Sequence, residues 1–311
     1  MAYRDFGSTG LQVFEVGLGC GPLGSDPAAD YAPLLERALE LGVNFFDTAD
    51  FYGGYRSEEW LGKVLSRRRD EVIIATKLGT VIEHGKARKD FTIAHMKRAV
   101  EESLRRLGTD YIDVYQLHNP PRAILDDQEV LAELRKLKEQ GKIRFYGISL
   151  DGGEYGMEAI DKWGCDAIQI LLNVFNHEPA ERFLPYAKER GVGVIIKAPL
   201  DSGMLGGELM PGAPLKPGDP RERWGEESTA RRQKLIAELN FLTEGTGRTW
   251  SQAALQFVLS FEGVSVVIPG TTSVKHLEED VGAAGGRLTA EELARISRLQ
   301  GGSLAKLNLG W

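Results

Sequence analysis

Four residues that could carry acid–base chemistry stand at the ends of three short apolar runs. Asp47 and Tyr52 come just after the run 43–46. Lys77 ends the second run and His118 ends the third. Short apolar runs of this kind are typical of buried parallel strands. The pattern therefore predicts a site where a carboxylate, a phenol, an ammonium group and an imidazole leave neighbouring strand ends.

A phenol with an adjusted pKa could serve this site as a general acid or base. The unperturbed pKa of tyrosine is about 10, and lowering it by roughly 2–3 units requires ~3–4 kcal/mol of preferential tyrosinate stabilisation. The ammonium group of Lys77 could supply it. Since a charged lysine is costly to bury alone, we expect Asp47 to pair with Lys77. His118 could then hydrogen-bond and orient a substrate oxygen.

Each of these residues alone has a simpler explanation. A single Asp after a strand is more often a turn or capping residue, a single Tyr or His is more often structural, and a single Lys is usually at the surface. Together they occur within the local patterns Asp-Thr-Ala-x-x-Tyr-Gly, Ala-Thr-Lys and Gln-Leu-His. Four suitable residues at three consecutive strand ends favour the functional interpretation.

Strand-like and helix-like segments alternate along the rest of the chain. Predicted strands lie near 16–20, 43–46, 72–76, 112–116, 144–148, 166–170, 192–196 and 264–268. Predicted helices cover about 29–41, 57–66, 92–107, 126–139, 153–163, 179–190, 228–244, 250–260, 273–283 and 289–300. Eight alternating strands in 311 residues predict a single (β/α)8 (TIM) barrel domain over residues 1–311, in which all strand ends converge on one face.

Three local features refine this prediction. Residues 3–13 are typical of a hairpin with Ser8-Thr9-Gly10 as its turn, which would plug the bottom of the barrel. Asp126 is the expected N-cap of the helix 126–139. The segment 201–227 is rich in Gly and Pro and follows the seventh strand. We therefore expect it to be a long loop over the top face.

Composition favours an ordinary globular protein, with 42% hydrophobic and 27% charged residues. No run reaches the apolar length needed to cross a bilayer, and no secretory signal is evident. With only Cys20 and Cys165, a disulfide framework is not expected and the cytoplasm is the expected location. The net charge of −7 gives no sign of nucleic-acid binding. His84, His95 and His177 lack metal-ligand spacing, so no metal site is expected.

The chain resembles the aldo-keto reductases, which are NAD(P)H-dependent carbonyl reductases built on a (β/α)8 barrel. The resemblance extends from Arg4-Asp5-Phe6-Gly7-Ser8-Thr9-Gly10-Leu11 to Val281 and includes the three patterns above. It implies reduction of aldehydes or ketones, or oxidation of the matching alcohols, by direct hydride transfer. It also implies Tyr52 as general acid/base, with Lys77 and Asp47 adjusting its pKa and His118 positioning the small-molecule substrate.

The resemblance also implies where a nicotinamide cofactor would bind. The chain has no Gly-x-Gly-x-x-Gly that opens a βαβ unit, so a Rossmann site is not expected. Ser149 and Gln169 match residues that hold the nicotinamide carboxamide. The implied contacts to the rest of the cofactor come from two further segments and are Pro199, Leu200, Gly203, Gly270, Thr271, Thr272, Lys275, His276, Glu279 and Asp280. The second segment leads into a helix whose N-terminus could bind a phosphate.

The chain departs from the family pattern in three places. Lys197 stands where an aromatic ring commonly stacks on the nicotinamide, and Leu150 stands where an Asn often follows the serine. The Arg or Lys that usually meets the 2′-phosphate of NADP(H) is missing from its common position, which leaves Lys275 and neighbouring hydroxyls. On these residues NADP(H) is slightly favoured over NAD(H).

Other interpretations stay open on the sequence alone. Phe51 and Trp224 could line a substrate pocket or simply pack their loops. Lys77 could instead be the Schiff-base nucleophile of a barrel aldolase. The barrel could also be a cofactor-binding, redox-sensing partner subunit, although an intact tetrad argues against loss of chemistry.

Overall fold

The computed structural model describes residues 2–83, 85–207, 215, 219, 221–222 and 225–299. Its strands are, in chain order, β1 Tyr3–Asp5, β2 Gln12–Phe14, β3 Leu18–Gly19, β4 Phe45–Asp47, β5 Ile73–Leu78, β6 Thr80–Glu83, β7 Lys86–Lys89, β8 Ile112–His118, β9 Ile143–Leu150, β10 Ala167–Leu171, β11 Gly193–Lys197 and β12 Val266–Val267. Eight of these strands form one parallel sheet in the order β12-β11-β10-β9-β8-β5-β4-β3. The prediction of a (β/α)8 barrel is confirmed.

The barrel closes between its first and last strands. Val16 bridges Val267 and Gly19 bridges Gly270, both in parallel orientation. Gly19 is required there because a Cβ atom would lie 2.7 Å from the carbonyl oxygen of Ile268. The strand ends that carry the candidate residues therefore form a ring instead of a row.

The N-terminal hairpin plugs the barrel as predicted. β1 and β2 pair antiparallel, with Tyr3 opposite Phe14. Phe6, immediately after β1, is fully buried inside the barrel. Its ring packs so tightly against β11 that a Cβ on Gly193 would lie 2.6 Å from it. The bottom of the barrel is thus filled by apolar side chains and the strand ends of the top face are left for the site.

Helices alternate with the barrel strands. They are α1 Ala32–Glu40, α2 Arg56–Leu65, α3 Ile93–Leu107, α4 Gln128–Glu139, α5 Gly153–Trp163, α6 Glu178–Glu181, α7 Phe183–Glu189, α8 Gly225–Glu238, α9 Trp250–Leu259, α10 Val274–Val281 and α11 Ala290–Leu299. The helix predicted over 179–190 is split at Arg182, whose φ of −118° departs from the usual α-helical value. No helix in the described ranges is long and apolar enough to cross a membrane.

The predicted cap of the fourth helix was wrong by one residue. Asp127 caps α4, and its carboxylate accepts hydrogen bonds from the backbone N–H groups of Glu129 and Val130 at 3.0 and 3.2 Å. Asp126 instead ends a short 3-10 helix and accepts a hydrogen bond from Lys162 at 2.6 Å. The extra 3-10 turn moves the start of the α-helix by one position.

A second hairpin, which the sequence pattern did not predict, follows β5. β6 and β7 pair antiparallel, with Thr80 opposite Lys89. All four residues of β7 are exposed, so the strand lacks the apolar alternation by which strands are recognised. Gly79 introduces the hairpin at φ +105° and packs so closely on Phe91 that no side chain fits. The hairpin places Lys89 beside the end of β8.

Candidate active site

The buried pair of Asp47 and Lys77 forms the base of the site. Asp47 ends β4 and Lys77 lies near the end of the adjacent strand β5, and the two side chains are 4% and 1% exposed. The Lys77 Nζ donates to Asp47 Oδ1 at 2.5 Å and to the backbone oxygen of Thr48 at 2.7 Å. The contact expected between these two residues is present. Although burial opposes it, attraction to Asp47 and to Tyr52 raises the pKa of Lys77 above its ordinary value, so the group is an ammonium ion.

Tyr52 lies in the turn after β4, directly above this pair. Lys77 Nζ is 5.1 Å from the centre of its ring, close enough for the ammonium charge to act on the phenol. Burial nevertheless raises the pKa of Tyr52 above the ordinary value, with Asp47 adding to the rise and Lys77 opposing it. The expectation of a lowered pKa was therefore wrong. Desolvation destabilises the phenolate by more than the attraction of one ammonium group stabilises it. At neutral pH the phenol holds its proton.

His118 completes the cluster at the end of β8. Its ring centre is 5.8 Å from that of Tyr52 and 5.4 Å from that of Phe51. Burial, together with nearby lysine ammonium groups, lowers the pKa of His118 to about 2. The imidazole is thus neutral. Its Nδ1 is buried and has no hydrogen-bond partner among the described residues.

Two glutamines hold the remaining carboxylate oxygen of Asp47. Asp47 Oδ2 accepts from Gln169 Nε2 at 2.7 Å and from Gln116 Nε2 at 3.2 Å. Ser149 Oγ in turn donates to Gln169 Oε1 at 3.1 Å. Ser149 and Gln169 therefore adjoin the catalytic candidates, as expected for residues that meet a carboxamide. Gln116 was not identified from the sequence, although its position two residues before His118 puts it on the same face of the strand.

The departures from the family pattern lie beside these residues. Lys197 ends β11, and its Nζ lies 2.9 Å from Asp151 Oδ1, 3.1 Å from Asn119 Oδ1 and 3.4 Å from Ser149 Oγ. Burial lowers its pKa and Asp151 partly restores it. Leu150 is buried in the core and offers no polar contact. A paired cation thus occupies the place where an aromatic ring was expected.

Two connected cavities continue from the strand ends towards α10. The larger, about 530 Å³, is lined by Pro22, Ala198, Pro199, Leu200, Ser202, Gly203, Asp219, Arg221, Ile268, Pro269 and Gly270. The smaller, about 120 Å³, is lined by Leu200, Gly203, Gly206, Arg221, Ser251, Gly270, Thr271, His276, Glu279 and Asp280. Most of the cofactor residues implied by the resemblance are therefore brought together. Thr272 and Lys275 are exposed and line neither cavity.

The loop after β11 has an unusual backbone held by a buried ion pair. Ala198, Asp201 and Ser202 all have positive φ, at +50°, +47° and +54°. Such values are uncommon for residues other than glycine and must be stabilised by surrounding contacts. The Nε of Arg232 in α8 donates to Asp201 Oδ2 at 3.0 Å, and both side chains are fully buried. The pair fixes the wall shared by the two cavities.

Asp280 stands at the far end of the smaller cavity. It is 3% exposed, and its Oδ1 has no hydrogen-bond partner among the described residues. Burial, with a contribution from Glu279, raises the pKa of Asp280 to about 7. A carboxyl with a raised pKa and one oxygen without a partner suits a ligand with both donor and acceptor atoms, such as a nucleotide base.

The described residues cover only part of the loop predicted over 201–227. Trp224 lies outside the described residues. The irregular segment predicted over 201–227 is shorter than expected, because α8 already begins at Gly225 and a short 3-10 helix spans Met204–Gly206. Within the described ranges, no three His, Cys, Asp or Glu side chains form a group that could hold a metal ion.

The comparison with known families matches this geometry. The model of the Aldo/keto reductase family matches residues 15–300. The chain belongs to the aldo-keto reductase family. It is therefore an NAD(P)H-dependent oxidoreductase that interconverts aldehydes or ketones and the corresponding alcohols. The prediction made from the strand-end residues and their patterns is confirmed at this level.

Several relatives of this aldo-keto reductase cover nearly its full length. L-galactose dehydrogenase of Arabidopsis thaliana is 35% identical over 90% of this chain and 87% of the relative. The holo form of an aldo-keto reductase from Bacillus halodurans is 34% identical, with a TM-score of 0.80 and 96% of each chain covered. An aldo/keto reductase from Klebsiella pneumoniae, solved in complex with NADP and acetate, is 27% identical, with a TM-score of 0.75 and coverages of 96% and 95%.

Proposed function

We propose that Tyr52 is the proton donor to the carbonyl oxygen of the substrate, while the reduced nicotinamide supplies the hydride to its carbon. The observation that carries this assignment is the position of Lys77, which contacts both Asp47 and the phenol of Tyr52. A proton that leaves the phenol creates a tyrosinate beside an ammonium ion already fixed by a carboxylate. The charge that develops in the transition state is therefore met by a preorganised group.

His118 takes the positioning role in this proposal. Its neutral ring lies 5.8 Å from that of Tyr52, near enough to hydrogen-bond the same oxygen that Tyr52 protonates. Phe51 forms the adjoining apolar wall. The two polar groups fix the oxygen from two directions, so the carbonyl carbon faces the wall formed by Ser149 and Gln169. The same residues serve alcohol oxidation, with Tyr52 then accepting the proton.

In this proposal the nicotinamide lies at Ser149 and Gln169, and the rest of the cofactor occupies the two cavities that end at Asp280. Ser149 and Gln169 offer both a hydroxyl and an amide to the carboxamide, and residues of the segments 198–203 and 268–270 line the larger cavity, where the phosphates would lie. We infer a slight preference for NADP(H) over NAD(H). In its favour, Arg221, which is paired with Asp219 at 2.6 Å, lines both cavities and is a cationic group that the sequence patterns had not indicated.

We further infer that the whole chain is one barrel domain that acts on a small carbonyl or alcohol in the cytoplasm. Cys20 and Cys165 are both buried free thiols, as is usual in a reducing compartment. A Schiff-base aldolase is not favoured, because such a lysine needs a lowered pKa, whereas the pKa of Lys77 is raised by its carboxylate. A redox-sensing subunit without turnover has no support from the site.

The proposal is tested by cofactor titration of the wild-type chain and of Tyr52→Phe. Quenching of tryptophan fluorescence would give the dissociation constants of NADPH and NADH. We expect Tyr52→Phe to bind the cofactor as the wild type does and to lose about 10²–10⁴-fold in kcat for a small aldehyde. Turnover within a few fold of wild type would exclude Tyr52 as the proton donor. Equal affinities for the two cofactors would exclude the preference for NADP(H).

A further inference from the structure

Three lysines surround the imidazole of His118. The ammonium groups of Lys77, Lys89 and Lys197 all contribute to the lowered pKa of its ring. Lys77 is neutralised by Asp47 at the base of the site. The other two approach from the rim, where substrate must enter, and neither is needed for the proton transfer assigned to Tyr52.

Lys89 reaches the site from the hairpin formed by β6 and β7. Its Nζ donates to the backbone oxygen of His118 at 2.6 Å and to Thr80 Oγ1 at 2.9 Å. Both acceptors are uncharged. In the described part of the chain, no carboxylate oxygen lies within the 4.0 Å of an ion pair from this ammonium group. An ammonium group has three N–H donors, so one donor of Lys89 and its full charge remain for a ligand.

Lys197 contacts Asn119, the residue that follows His118 at the end of β8. Its Nζ donates to Asn119 Oδ1 at 3.1 Å, one position beyond His118. Its carboxylate partner, Asp151, is 57% exposed, so water screens that partner more than it screens the buried ammonium group. Burial lowers the pKa of Lys89, and Lys197 adds to this decrease, whereas Asp50 and Asp151 oppose it.

The acidic groups near the rim do not cancel this charge. Burial raises the pKa of Asp50 to about 8, so most of it is protonated at neutral pH. Asp90 is engaged by Arg88 at 3.1 Å on the outer side of the hairpin. Since His118 is neutral, the described groups at the mouth of the site include the charges of Lys89 and Lys197, with Asp151 paired to Lys197.

We propose that this reductase selects carbonyl substrates that carry a carboxylate, which Lys89 binds at the rim, with the positive charge of Lys197 nearby, while the carbonyl oxygen meets Tyr52 and His118. The inference rests on the proposed function, since it assigns the substrate class of the same site. A carboxylate can accept a hydrogen bond from the free N–H of Lys89. Because both groups are charged, this bond is stronger than a neutral one. A neutral substrate of the same shape would leave the charge of Lys89 uncompensated.

Two matched pairs of aldehydes test the proposal with NADPH as cofactor. The rigid pair is 4-carboxybenzaldehyde and its methyl ester, and the flexible pair is 4-oxobutanoate and its methyl ester. We expect kcat/KM to be higher for the acid than for the ester of at least one pair by about tenfold or more, mainly through KM. Raising the ionic strength should reduce this ratio, because the rim is open to solvent.

Variants on β7 connect the ratio to Lys89. Lys89→Met should lower the acid-to-ester ratio by about tenfold, and Lys89→Arg, which keeps the charge, should retain most of it. Lys86→Met is the matched control, because Lys86 is exposed on the same strand and should leave the ratio unchanged.

The outcomes separate this inference from the proposed function. Reduction of the esters with no preference for either acid would overturn the carboxylate assignment and leave the reductase function intact. An acid preference that survives in Lys89→Met would also overturn it. Failure of the wild type to reduce any of the four aldehydes, despite binding NADPH, would overturn both.

Discussion

Two buried ion pairs support opposite sides of the barrel top, and only one of them adjoins reactive groups. Lys77 and Asp47 lie beneath the phenol of Tyr52. Arg232 and Asp201 are buried as completely, yet they join a helix to a loop with positive φ angles. Burial of a charge pair therefore does not by itself indicate chemistry. The neighbouring phenol and neutral imidazole distinguish the first pair.

The cationic side chains of the two pairs, Lys77 and Arg232, also differ in their chemistry. A lysine is a compact charge whose proton equilibrium responds to its surroundings, whereas arginine stays charged and holds its partner through a planar fork. Lys77 can respond when Tyr52 gains or loses its proton. Arg232 can only hold Asp201 in place. We therefore expect substitutions at the two sites to affect different measurements.

The largest effect is expected for Lys77→Met. Loss of the ammonium group removes the stabilisation of the tyrosinate, so kcat for a small aldehyde should fall by about 10²–10⁴-fold. The NADPH dissociation constant from fluorescence titration should change far less, because the lysine lies below the nicotinamide region. Activity within tenfold of wild type would show that this pair is as structural as the other.

A smaller effect on turnover and a larger one on stability are expected for Arg232→Met. Removing one partner of a buried pair leaves an uncompensated charge and typically costs about 3–5 kcal/mol of unfolding free energy. Urea unfolding would measure this cost, and the Kd of NADPH should rise because Asp201 shapes the cavity wall. With saturating cofactor, kcat should stay within a few fold. A fall in kcat as large as that of Lys77→Met would remove the distinction between the pairs.

The sequence was most informative where local pattern and topology coincide. Asp47, Lys77 and His118 each follow an apolar run, and parallel strands in a closed barrel must bring such ends together. The architecture and the proximity of these candidate residues were therefore predictable from the sequence. The pairing of Lys77 with Asp47 was also predictable from charge balance, since a buried lysine requires a carboxylate partner.

Features that depend on packing or on distant partners were not accessible. Lys89 lies on a strand with no buried residue, so no periodicity marked the hairpin that brings it to the site. Asp201 and Arg232 are 31 residues apart, and neither stands in a recognisable pattern. The direction of the pKa shift of Tyr52 was mispredicted because desolvation depends on how neighbouring elements enclose the ring. Such quantities arise only when the chain is folded.

The smallest expected effect concerns Asp50, which is a buried acid close to the pair of Asp47 and Lys77. Its side chain is 4% exposed, and its Oδ1 has no hydrogen-bond partner in the described part of the chain. Burial, reinforced by Glu58, raises its pKa from 3.8 to about 8. The two ion pairs keep their charges by pairing, whereas Asp50 avoids the cost of a buried charge by keeping its proton.

This difference predicts a specific pH dependence of stability. Between pH 4 and pH 8 the folded chain holds a proton on Asp50 that the unfolded chain has released, so folding takes up a proton and the unfolding free energy falls as pH rises. Asp50→Asn should remove that part of the slope and gain about 2–4 kcal/mol relative to wild type between pH 5 and pH 9. Urea unfolding at the two pH values measures it. Asp110→Asn, at an exposed position, is the control and should shift neither value. If the unfolding free energies of wild type and Asp50→Asn show the same pH dependence, Asp50 is ionised in the folded chain. A buried acid would then keep its charge without an ion-pair partner.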